Sequence, residues 1–109
     1  MERDVKPFSV LVGRVVEIEK ESDRFIFYAN DPGYSKHYRD VYILEGDATN
    51  WIEGVNDVQD ESVISVDIYK PRSNWEWRYT LRTRKGYCTI AVLSTAEPLF
   101  YFKGSYPVR

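Results

Sequence analysis

His37 and Cys88 are the only histidine and cysteine in the 109-residue chain. A structural zinc site takes about four Cys or His ligands, which this chain does not have. His37 sits in a polar stretch without a Ser or Cys partner nearby. Cys88 falls beside Thr89 and Ile90 in a strand-like run, where a thiol behaves as a small buried residue rather than a nucleophile. No phosphate loop or dinucleotide glycine fingerprint occurs. Carboxylate pairs of the kind used in glycoside hydrolysis are plentiful. A chain of this length leaves little room for a deep substrate cleft. Asp47 to Asn50 and Asp57 to Glu61 carry oxygen ligands, but not at the alternating spacing of a calcium loop. These residues point to recognition rather than catalysis, with no enzyme activity, cofactor or metal expected.

The charges are divided along the chain. From Asp40 to Tyr69 there are eight acids and no Lys or Arg. Asp57, Asp60 and Glu61 form the densest part of that acidic face. From Lys70 to Lys85, six bases (Lys70, Arg72, Arg78, Arg82, Arg84 and Lys85) face a single acid, Glu76, for a local charge of +5. The whole chain carries a formal charge of −2. Nine Tyr, five Phe and three Trp give it an aromatic excess, which favours strands and also suits contact surfaces. Trp75 and Trp77, within the basic stretch, and Tyr34 and Tyr38, near Lys36, His37 and Arg39, are the aromatic contact candidates. Phosphates pair with Arg and Lys, and unstacked bases sit on rings. The plainer reading of the same charges is a solvated surface that blunts sheet edges.

These residues need elements to hold them. Apolar residues recur at period two almost everywhere, the signature of strands. Strands are expected over 8–20 (bent at Gly13), 24–29, 40–45 and 62–69. A hairpin is expected with arms 75–83 and 87–93, turning at Arg84-Lys85-Gly86. Its first arm alternates Trp75, Trp77, Tyr79 and Leu81 against Glu76, Arg78, Thr80 and Arg82. Thr49 reads as the cap of a short helix near Asn50 to Val55, with Glu53 in its early turns and Trp51, Ile52 and Val55 inward. Leu99 to Phe102 reads as a last strand or a docked tail. One domain spans residues 1–109, with 1–7 and 103–109 as loosely held termini.

The expected class is mostly β: a small antiparallel barrel of six or seven strands with one short helix, or a two-sheet β-sandwich. The element order resembles that of an oligonucleotide/oligosaccharide-binding (OB) barrel. The matching segments are Val12-Gly13-Arg14-Val15-Val16, Arg24-Phe25-Ile26-Phe27, Asp40-Val41-Tyr42-Ile43, the helix near 50–55, and Val63-Ile64-Ser65-Val66. This is a likeness of element order, and it carries no family motif. With one cysteine, no signal-like leader and no apolar run near the ~20 residues of a membrane span, a cytoplasmic location without membrane partners is expected. The leading functional reading is a protein-interaction module: a small regulator, inhibitor or assembly component. The acidic net charge favours it, since nucleic-acid domains usually carry a basic balance. The alternatives are a single-stranded nucleic-acid-binding domain and a structural subunit of a homo-oligomer.

Overall fold

The computed structural model describes residues 3–31, 37–72 and 75–108. Among them, nine strands form two antiparallel sheets. They are β1 (Asp4–Val5), β2 (Val15–Lys20), β3 (Arg24–Asn30), β4 (Tyr38–Glu45), β5 (Ala48–Glu53), β6 (Ser65–Tyr69), β7 (Glu76–Arg82), β8 (Tyr87–Leu93) and β9 (Leu99–Pro107). One sheet runs β1-β9-β4-β3-β2 and the other β5-β8-β7-β6. This arrangement fits a two-sheet sandwich, and no ladder among the described residues closes a barrel.

The core lies between the sheets. Phe25, Phe27, Tyr42, Leu44 and Phe100 from one sheet meet Tyr79, Leu81, Cys88, Ile90 and Val92 from the other. Burying a side chain of Leu or Phe size contributes about 1.5–3 kcal/mol, so this alternation is the main stabilising term. Phe8 plugs the centre. Its ring makes edge-on contacts with Phe27, Tyr79 and Phe100 at centroid distances of 5.6, 5.0 and 5.2 Å.

Four expectations are corrected. The 8–20 segment is not one bent strand. Phe8–Leu11 forms a 3₁₀ turn, and Gly13, at φ +84°, turns the chain into β2. Phe8 and Leu11 are three residues apart, so one turn sends both rings and methyls inward. The helix near 49–55 is the strand β5, which pairs with β8 from Ala48↔Leu93 to Glu53↔Thr89. A 3₁₀ turn follows only at Val55–Val58. Cross-strand pairing outweighs the local capping signal, because six residues make too short a helix to hold by itself. The OB order loses its helix with this change. The tail does not end in a loosely held 103–109 terminus either. β9 runs to Pro107 and pairs with β4 from Tyr38↔Pro107 to Glu45↔Leu99, while β1 pairs with Tyr101 and Phe102 on its other side.

Two further features frame the surfaces. Val41, Ile43 and Tyr101 are buried on the outer side of the five-stranded sheet, beneath Ile26, Tyr28 and Leu99. At one end of the sandwich, Arg14 donates to Asp40 Oδ2 at 2.7 Å and to the Tyr42 hydroxyl at 2.9 Å. Its Nε lies 3.0 Å from Asp31 Oδ1 without hydrogen-bonding alignment.

Candidate functional site

The sheets have four outer strands: β1, β2, β5 and β6. An edge strand exposes unpaired N–H and C=O groups, and proteins guard such edges with charge, shortness or bulges. β1 has two residues, flanked by Arg3 and Lys6. β2 carries Glu17, Glu19 and Lys20. β5 has a register break between Thr49 and Trp51, and ends on Glu53. The part of β9 that β1 leaves uncovered carries Lys103 and Pro107, opposite a register break at Val41/Tyr42. β6 differs from all of these. Asp67 is its one charge, and Ile68 and Tyr69 are 39% and 59% exposed.

The β6 edge borders a cleft of about 560 Å³. Val66 and Ile68 form one wall and Val5 and Phe8 another, with Tyr79 and Phe100 also lining it. Lys6, Asp67 and Glu97 bring charge to the lining. Burial, with Glu97 adding to it, pushes the Tyr79 phenol well above its ordinary pKa, so it stays neutral and keeps a proton to donate. The cleft lies where the end of β1 and the start of the 3₁₀ turn at Phe8 face Val66 and Ile68 of β6.

The second surface is the outer face of the four-stranded sheet. Register places Trp51, Ala91, Arg78 and Tyr69 in one row, and Tyr87, Arg82 and Ser65 in another. Between them lies the row Glu53, Thr89, Thr80 and Asp67. The Arg78 guanidinium is 5.9 Å from the Trp51 ring centroid, and that of Arg82 is 5.1 Å from Tyr87. Arg78 Nε and Nη2 donate to Glu76 Oε2 at 2.9 and 2.8 Å.

The residues singled out in the sequence are spread over both ends of this sheet. Arg78 and Arg82 project outward from β7. Lys70 and Arg72 are exposed in the connection before β7, and Arg84 and Lys85 in the turn after it. Trp77 is corrected as a stacking candidate. It packs inward on the core, and its indole N–H donates to the Ser94 carbonyl at 3.1 Å. Trp75 precedes the strand at φ +57° and is 61% exposed. Tyr38 opens β4 and is also exposed. Tyr34 lies outside the described residues. Asp60 is exposed and Asp57 half-buried. Part of the acidic stretch turns toward the basic turn of its own chain. Lys85 Nζ donates to the Gln59 carbonyl at 2.9 Å, and the Asp57 carboxylate occupies the space beside Gly86.

Trp51, Tyr69 and Tyr87 are the aromatic rings that share a face with Arg78 and Arg82. The period-two parity of Tyr69 and Tyr87 carries that signal. Trp51 is hidden because its segment reads as a helix. Compared with protein-family models, curated proteins and solved structures, the chain matches none of them.

Proposed function

We propose that this domain is a protein-interaction module that receives an extended segment of a partner chain along the free edge of β6. The observation that carries the reading is the contrast among the edges. β6 alone combines an unpaired side, one charge and exposed Ile68 and Tyr69. Strand addition draws affinity from main-chain hydrogen bonds and specificity from pockets for alternate side chains. The cleft beside β6 offers such a pocket, with Val5, Phe8 and Val66 to receive apolar side chains. A five-residue strand spans about 17 Å, enough for two or three inward side chains of the added segment.

Selection from a displayed library of random ten-residue peptides tests this. Enriched peptides should alternate β-branched or aromatic residues with polar ones. They should bind Ile68→Val normally and lose binding to Ile68→Lys, which places an ammonium at the cleft wall. Amide exchange should slow at β6 on binding. If the enriched peptides bind Ile68→Lys as tightly as the parent, the β6 edge is not the docking site.

A further inference from the structure

We infer that the outer face of the four-stranded sheet is a second binding site, one that takes a single strand of nucleic acid laid along β7. Arg78 and Arg82 project from β7 four residues apart, or about 13 Å. Lys70 and Arg72 are exposed before the start of β7, and Arg84 and Lys85 after its end, with Lys85 Nζ donating to the Gln59 carbonyl. A polyanion following β7 meets Arg78 and Arg82 on the sheet and further bases beyond both ends of the strand, with Glu53 and Asp67 flanking that track on the edge strands.

The rings stand beside these cations. Tyr69 and Tyr87 are 59% and 57% exposed. Trp51 lies across the sheet from Tyr69, with exposed Arg78 and the fully buried Ala91 between them. Bases can stack on exposed rings of any sequence context, and a guanidinium over a ring widens that platform. The acids set the width of the track. Glu53 and Asp67 occupy outward positions on the two edge strands, on either side of the Thr80–Thr89 pair. A second phosphate backbone would lie over one of those carboxylates. The face therefore favours one strand over a duplex. Glu76 is engaged by Arg78.

Fluorescence polarisation with a labelled twelve-residue oligothymidylate tests the inference, alongside a duplex of equal length, a heparin fragment and poly-glutamate. With about four phosphates neutralised, affinity for the single strand should fall ~50-fold between roughly 50 and 200 mM salt. Arg78→Glu with Arg82→Glu should abolish binding. Tyr69→Ala and Tyr87→Ala should each weaken the oligonucleotide at least about fivefold, leave heparin unaffected and keep the salt slope. Tyr69→Phe should bind like the parent, and an unchanged urea midpoint in each variant shows that folding is intact. Absence of binding at the lower salt overturns the inference. So does equal binding of heparin, with no effect of the Tyr substitutions. Preferential binding of poly-glutamate overturns it in favour of an acidic protein partner.

Discussion

Phe8 is the test of whether the segment before β2 belongs to the core or only leans on it. Its side chain is 4% exposed and touches three other rings edge-on. Phe8→Ala removes that ring from a site walled by β3, β7 and β9, strands held by their own ladders. The walls cannot collapse far, so the cost combines lost transfer energy with a residual cavity, about 3–5 kcal/mol. A domain of this size has roughly 5–15 kcal/mol of total stability. With a urea m-value near ~1.5 kcal/mol/M, the midpoint should drop by about 2–3 M with m unchanged. Phe8→Leu keeps most of the volume and should cost less than about 1.5 kcal/mol. A midpoint shift below about 0.5 M for Phe8→Ala would show that the 3₁₀ turn merely covers a core that closes without it. Equal losses for the Ala and Leu variants would show that the cost is not a cavity.

Three further outcomes are expected. Burial, with Asp57 adding to it, pushes the Cys88 thiol up to about 12. An aromatic disulfide reagent at neutral pH should therefore leave native Cys88 unmodified, and react promptly once urea unfolds the chain. Gly54 sits at φ +76°, and a Cβ there would run into the Tyr87 carbonyl oxygen. Gly54→Ala should thus cost more than the ~1–2 kcal/mol of the left-handed backbone alone, read as a lower melting temperature. Burial by itself would raise the Asp40 pKa, but hydrogen bonds from Ser105 and Arg14 outweigh it and hold the carboxyl below its ordinary value. Its contribution is complete above the unfolded pKa of about 3.9 and is lost as pH falls through the lower folded value. Asp40→Asn should therefore destabilise the domain near neutrality, and the gap to the parent should close in acid, as read from melting curves across pH.

The hairpin around Gly86 was legible because its signals are local. Alternation set the arms, and glycine set the turn. β7 and β8 pair from Glu76↔Leu93 to Arg82↔Tyr87, as that alternation requires. The inward set of Trp77, Tyr79 and Leu81 follows from the same parity. The absence of any long helical period placed the chain among β proteins. The outward cations Arg78 and Arg82 were readable for the same reason.

Partners distant in sequence decided the rest. Residues 48–53 carry a cap-like Thr49 and an early acid, and nothing near them announces that β8 will pair with them. Residues 103–107 look like a polar tail until β4 takes them as a neighbour some 65 positions away, as between Asp40 and Ser105. Alternation states which residues share a face, but not what covers that face. Ile68 has the same pattern as buried residues, yet it is exposed because β6 ends its sheet. The proposed binding surfaces belong to this second category. Local pattern is enough for a β domain with a basic, aromatic hairpin. Long-range pairing makes the two sheets, leaves one edge open beside a cleft, and sets which rings lie next to which arginines. Those outcomes depend on non-local strand pairing, whose energy appears only once distant segments meet.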